Sequence, residues 1–102
     1  MTQKALPKKI RVGDNWYSVE VVEAMRNKSE VGRVHYDKRL IEIGKRTHHG
    51  IPLKLSALHE TFWHELVHVI LHEMGEHKLN ERESFVEDFS YRLAKAINTA
   101  RF

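Results

Sequence analysis

His64-Glu65-Leu66-Val67-His68 lies inside an unbroken helical stretch, Leu53 to Met74, that has no interior Gly or Pro. Apolar residues run along this stretch in two stripes. Leu55, Leu58, Phe62, Leu66 and Val69 form one, and Trp63, Val67, Ile70 and Met74 form its neighbour. A helix apolar over so much of its circumference must be covered on more than one side, so it is central to its domain. The remaining strip carries His64, Glu65, His68 and His72. Polar residues confined to one strip of a buried helix predict a cleft there. Gly75 stands where a C-cap is expected.

The spacing of the two histidines has a chemical reading. Residues i and i+4 of a helix project from one face, a turn apart. Two imidazoles so placed can bind one Zn²⁺, and H-E-x-x-H is the pattern of zinc hydrolases. The metal needs a third protein ligand and keeps a fourth position for water. Glu65 lies beside that position. It can take a proton from the water, whose pKa the metal lowers toward ~7. With eight histidines in the chain, five residues alone are a weak signal. The competing reading is a surface helix with two solvated histidines. The uninterrupted helix and the carboxylates downstream weigh against it.

Composition narrows the options. A chain of 102 residues makes one domain, 1–102, with one modest core. Residues 1–9 read as a flexible tail. At 41% hydrophobic and 30% charged residues, the chain is globular rather than disordered. There is no cysteine, so any metal must be held by His and carboxylate. That absence fits a cytoplasmic protein. The first nine residues lack the apolar segment of a secretory signal. No apolar run approaches the ~20 residues of a membrane span. The net charge of +3, with basic clusters at Lys4–Arg11, Arg26–Lys28 and Lys38–Arg46, admits nucleic-acid contact. No nucleic-acid motif accompanies it.

The first half of the chain reads as two β-hairpins. Ile10–Val12 and Trp16–Val22 flank the turn Gly13-Asp14-Asn15. Val31–Tyr36 and Leu40–Ile43 flank Asp37-Lys38-Arg39, with apolar and polar residues alternating in both arms. Glu23 to Ser29 and Gly44 to Pro52 read as loops. After the long helix, Asn80 is expected to cap a second one running to about Thr99, with Glu81 and Glu83 in its first turn. Phe85, Val86, Phe89, Leu93, Ala96 and Ile97 make its apolar stripe. The short link at 75–79 predicts antiparallel packing. The fold class is therefore α+β: a small antiparallel sheet of two hairpins packed on the histidine helix and a C-terminal helix.

The antiparallel arrangement brings Glu81, Glu83, Glu87 and Asp88 near the end of the first helix. Glu81 serves the helix dipole. Glu83 and Glu87 are i, i+4 and share one face at the edge of the core. Glu83 is the expected third ligand. Glu87 is expected to accept a hydrogen bond from the outer nitrogen of a metal-bound imidazole, which fixes its tautomer. The exchange of these two roles stays open on helix geometry alone.

The H-E-L-V-H segment followed by Glu83-Ser-Phe-Val-Glu-Asp-Phe-Ser90 resembles the ImmA/IrrE-like metallopeptidases, above all the short phage-encoded ones. These follow the helix motif with E-x-x-A-[ND]-x-F-A. Glu83 falls on the Glu, Val86 on the Ala, Glu87 on the Asn/Asp, and Phe89-Ser90 on the Phe-Ala. The resemblance covers residues 64–90 well and 31–97 loosely. It departs at Val86, where a small residue is usual, and at Glu87, longer than Asp. It implies a zincin-like domain with a small sheet beside the active-site helix. It also implies Glu83 as ligand, Glu87 behind it, and zinc-dependent cleavage of a protein or peptide substrate. A repressor-like regulator in the cytoplasm of a bacterium or phage-infected cell would be that substrate. The SprT-like metalloproteases are the second family, but they use a third His as ligand.

A peptidase also needs a donor for the oxyanion of its tetrahedral intermediate. His72, one turn beyond His68, and Tyr36, at a strand end, are candidates, as is His35. The competing readings are a capping role for His72 and a core role for Tyr36. His48 and His49 lie in a loop that could line the cleft or be solvated. His59 and His77 have no evident role. Trp16, Trp63 and Phe62 read as core aromatics. The hairpin Val31–Ile43 offers an edge for an extended substrate. Two alternatives to a zinc metallopeptidase remain: a non-catalytic interaction module on the same fold, and, third, a basic nucleic-acid-binding domain. An intact Glu65 favours catalysis, because a structural metal site needs no base.

Overall fold

The computed structural model describes residues 5–27, 30–47 and 49–102. It is an α+β domain: a four-stranded mixed sheet with helices packed on one face. Strand β1 (Lys9–Val12) pairs antiparallel with β2 (Asn15–Val22). The turn between them uses Gly13 at φ 60°. Strand β3 (Gly32–His35) pairs antiparallel with β4 (Leu40–Gly44). Both expected hairpins are present.

Their junction differs from the expected antiparallel sheet. The sheet order is β1-β2-β4-β3, and β2 meets β4 in parallel, from Ser18↔Leu40 to Val22↔Gly44. The connection from β2 to β3 crosses the end of the sheet and seats Met25 in the core. Gly44 accommodates it, since a Cβ there would lie 3.0 Å from Met25 Cγ. This crossover makes β3 an edge strand.

Helix α1 (Leu55–Met74) lies across the sheet. Phe62, Leu66 and Val69 pack on Tyr17, Val19, Ile41 and Ile43. Val67 of the neighbouring stripe and Leu71, which lies in neither stripe, pack on Val86 of α3 (Glu83–Thr99), while Trp63 and Ile70 of that stripe lie against the sheet-side core. So α1 is sandwiched between sheet and helix, as its broad apolar circumference required. It ends in a Schellman motif: Gly75 takes φ 76°, its N–H bonds His72 O, and the Glu76 N–H bonds Leu71 O. Met74, at the end of the second stripe, is exposed.

Several expectations need correction. Asn80 caps nothing: it ends a one-turn helix, α2 (His77–Asn80), and α3 begins three residues later without a side-chain cap. The buried face of α3 is Val86, Ser90 and Ala94, while Phe89 and Ile97 are exposed. Ser90 and Ala94 are small and line the cleft, so bulk does not mark that face. Trp16 is 58% exposed. It pairs with Arg11 on the outer side of the sheet, and strand alternation turns its neighbour Tyr17 inward. Within the expected tail, Leu6 packs against the core and the Lys8 carbonyl accepts from the Val19 N–H. Residues 1–4, Lys28 and Ser29 lie outside the described residues. No helix among those described is long and apolar enough to cross a membrane.

Candidate metal centre and cleft

His64 and His68 project from one face of α1, their rings 5.0 Å apart. The first residue of α3 reaches both. Glu83 Oε1 lies 2.6 Å from His68 Nε2, and Glu83 Oε2 lies 3.1 Å from His64 Nε2. The three side chains offer ligand atoms that all fall within 4.8 Å of one another. The antiparallel placement of α3 on α1 produces this convergence.

Asn80 orients the site from behind. Its Nδ2 donates to the Tyr36 hydroxyl at 3.1 Å, which turns its Oδ1 toward His68 Nδ1 at 2.6 Å. An amide oxygen only accepts, so His68 carries its proton on Nδ1 and turns the Nε2 lone pair toward Glu83. A lone pair and a carboxylate oxygen 2.6 Å apart need positive charge between them. A proton shared by this pair would satisfy it, and so would a metal ion. Two imidazole nitrogens and a carboxylate are a donor set that suits Zn²⁺.

Glu65 is 8% exposed and forms the cleft floor beside His64. Burial pushes its carboxyl up to about 8, with the charges of Glu83 and then Glu30 adding to the shift. A carboxylate so destabilised is a strong proton acceptor when ionised. Gly32 on β3 lies directly over it. A Cβ there would stand 2.6 Å from Thr61 Cγ2 and 3.1 Å from Glu65 Oε2. Only a residue without a side chain lets the strand come this close.

The cleft encloses about 940 Å³ between the edge strand β3 and α3, with α1 as its floor. Tyr36 lines it. Burial raises the Tyr36 phenol pKa, opposed by the Asn80 hydrogen bond and reinforced by Glu65 and Glu83. The phenol therefore stays protonated at neutral pH and keeps an O–H to donate.

The other candidates separate. Glu87 is exposed on the cleft wall and, among the described residues, makes no hydrogen bond to either imidazole. Asn80 holds the outer nitrogen of His68 in its place. His72 stacks on Tyr36 at 4.1 Å, so it buttresses that ring from outside the cleft lining. His77 meets the edge of His72. His35 faces the outer side of the sheet, 3.5 Å from Glu42. His59 and Trp63 line the cleft, Trp63 also touching the core, and Phe62 is buried. His49 is exposed, and His48 lies outside the described residues. Glu81 is exposed, and Asp88 pairs with Arg92 on the surface. No family model, curated protein or solved structure matches this chain.

Proposed function

We propose that this chain is a zinc-dependent metallopeptidase of the ImmA/IrrE-like kind. The observation that carries the reading is the meeting of His64, His68 and Glu83 beside a buried Glu65 on the floor of an open cleft. The three would hold Zn²⁺, which when bound supplies a Lewis acid and lowers the pKa of a water toward ~7. An extended peptide lies along the free edge of β3. Glu65 takes a proton from the attacking water and delivers it to the amide nitrogen as the C–N bond breaks. Tyr36 donates its O–H to the oxyanion that forms on the carbonyl oxygen. Asn80 keeps the Tyr36 oxygen occupied as acceptor, so its proton is the part left for substrate.

Elemental analysis of the protein equilibrated with zinc tests the first half of the reading. About one Zn²⁺ per chain is expected, lost in His64→Ala. Glu83→Gln should weaken binding far more than Glu87→Gln; the opposite order exchanges their roles. Glu65→Gln should keep the metal and lose peptide cleavage by ~10²-fold or more. Fragments from candidate regulatory proteins, read by mass spectrometry, supply that assay. Zinc bound without cleavage by the wild type would establish the non-catalytic module instead.

A further inference from the structure

Helix α3 turns Glu83, Glu87, Ser90 and Ala94 to the cleft and packs Val86 on α1. A further face carries Phe85, Phe89, Leu93 and Ile97. Their spacing of four residues puts them on one ridge, about 18 Å long. None of the four lines the cleft. Phe85 and Phe89 stack at 5.6 Å. Phe85 and Leu93 are half-buried, and Phe89 and Ile97 are each 46% exposed. Single apolar residues on a surface need no partner, but a continuous ridge marks a contact. The border of the ridge indicates what covers it. On one side lies α1. On the other stand Asp88 and Arg92, paired at 2.9 Å with side chains 64% and 77% exposed. Position 90 is the midpoint of that pair and position 91 the midpoint of the ridge. A two-fold axis at the middle of the ridge therefore sets Phe85 against Ile97, and Phe89 against Leu93, of a second copy. In such an antiparallel pair the same border of each helix meets. Asp88 of each copy then comes within about 3 Å, measured along the helix, of Arg92 of the other. A parallel pair would instead set these charges against the border that α1 occupies.

We propose that the outer ridge of α3 joins two copies of this chain into a two-fold dimer. The ridges interlock antiparallel, crossing at about −50° as rows of spacing four do. Asp88 and Arg92 bond across the axis on both sides of it. The clefts stay open, because ridge and cleft occupy different faces of α3. One ridge of one helix lies at the low end of specific interfaces, so the dimer is weak, with a Kd of about 10–100 µM. The proposal does not depend on the metal or on peptidase activity.

Sedimentation equilibrium of the full chain, with and without one equivalent of Zn²⁺, tests it. The mass should rise from 12.0 kDa toward twice that value as the concentration increases to about 0.5 mM. Phe89→Glu should hold the chain monomeric over the same range. Asp88→Arg and Arg92→Asp should each weaken the dimer about fivefold or more, by setting like charges across the axis. The double variant, with both charges exchanged, should regain the wild-type Kd within about twofold. Both side chains are exposed, so these variants keep the fold even if Phe89→Glu does not, and circular dichroism checks each. A wild type that stays monomeric at about 0.5 mM would overturn the proposal and leave the ridge to a different protein. A dimer that Phe89→Glu leaves intact, or a double variant no tighter than the single ones, would overturn it too.

Discussion

At the scale of single residues, Asn80 carries more of the site than its position in the chain suggests. Its amide fits one way round, Nδ2 to Tyr36 and Oδ1 to His68, and that choice sets the tautomer of a candidate ligand. Asn80→Ala should leave the fold intact, since the side chain fills no helix cap, and should weaken zinc binding by about 10–100-fold. Calorimetric titration checks this. An unchanged affinity would show that His68 needs no orienting partner. Sequence reveals the site unevenly for a physical reason. His64, Glu65 and His68 are legible because i, i+4 geometry is local. Glu83 follows from one antiparallel turn. Asn80 is not legible, because the side chain that caps helices also orients imidazoles, and only tertiary placement distinguishes the two uses. Glu30 is further hidden, since it comes to the cleft through the crossover between β2 and β3.

At the scale of elements, the contact between β3 and α1 sets how closely the edge strand approaches Glu65. Thr61 bonds its hydroxyl back to the Ala57 carbonyl, and a Cβ at position 32 would meet Thr61 Cγ2 at 2.6 Å. A β-branched residue on a helix has little rotameric freedom to yield. Gly32→Ala should therefore destabilise the fold by about 1–3 kcal/mol through overpacking. Adding Thr61→Ser removes the offending methyl and should recover most of that loss. Urea unfolding of the single and double variants measures it, and additive losses would refute the contact. Helix α1 was legible from its apolar circumference: the first stripe packs on the sheet, and of the second Val67 meets α3 while Trp63 and Ile70 join the sheet-side core. Helix α3 was legible in extent but not in facing. Its large residues Phe89 and Ile97 remain exposed, while the small Ser90 and Ala94 are buried and line the cleft.

At the scale of the whole molecule, hairpins can be read from their turns, but the parallel joining of β2 to β4 involves residues more than twenty positions apart and leaves no local signal. The same long-range logic holds the sheet to the helix. Glu73, in the last turn of α1, accepts from the Tyr17 hydroxyl at 2.7 Å and from Asn15 Nδ2 at 2.6 Å. The Tyr17 and then the Asn15 hydrogen bond lower the Glu73 pKa, while burial and the hydrogen bond to Glu73 push the Tyr17 phenol up to about 12. The two shifts act on stability at opposite ends of the pH scale. Glu73 binds protons less readily folded than unfolded, so its contribution is complete above the unfolded value of about 4.3 and is lost as pH falls through the lower folded value. Tyr17 keeps its proton more tightly folded, so its contribution is complete below about 10 and is lost as pH rises toward 12. Glu65 works against Glu73, because its folded pKa is raised, so the wild-type curve alone does not isolate this clasp. The comparison with Glu73→Gln does. The variant should be less stable than the wild type at pH 7, and the gap should close as both are taken below pH 4. Tyr17→Phe should cost on the order of 1 kcal/mol at pH 7 and reduce the same acid dependence, because Glu73 then loses its principal donor. Tryptophan-detected urea unfolding from pH 3 to 8 measures all three proteins. A gap between wild type and Glu73→Gln that stays constant across that range would show that Glu73 titrates alike in the folded and unfolded chain, and the clasp would then hold sheet to helix without its charge.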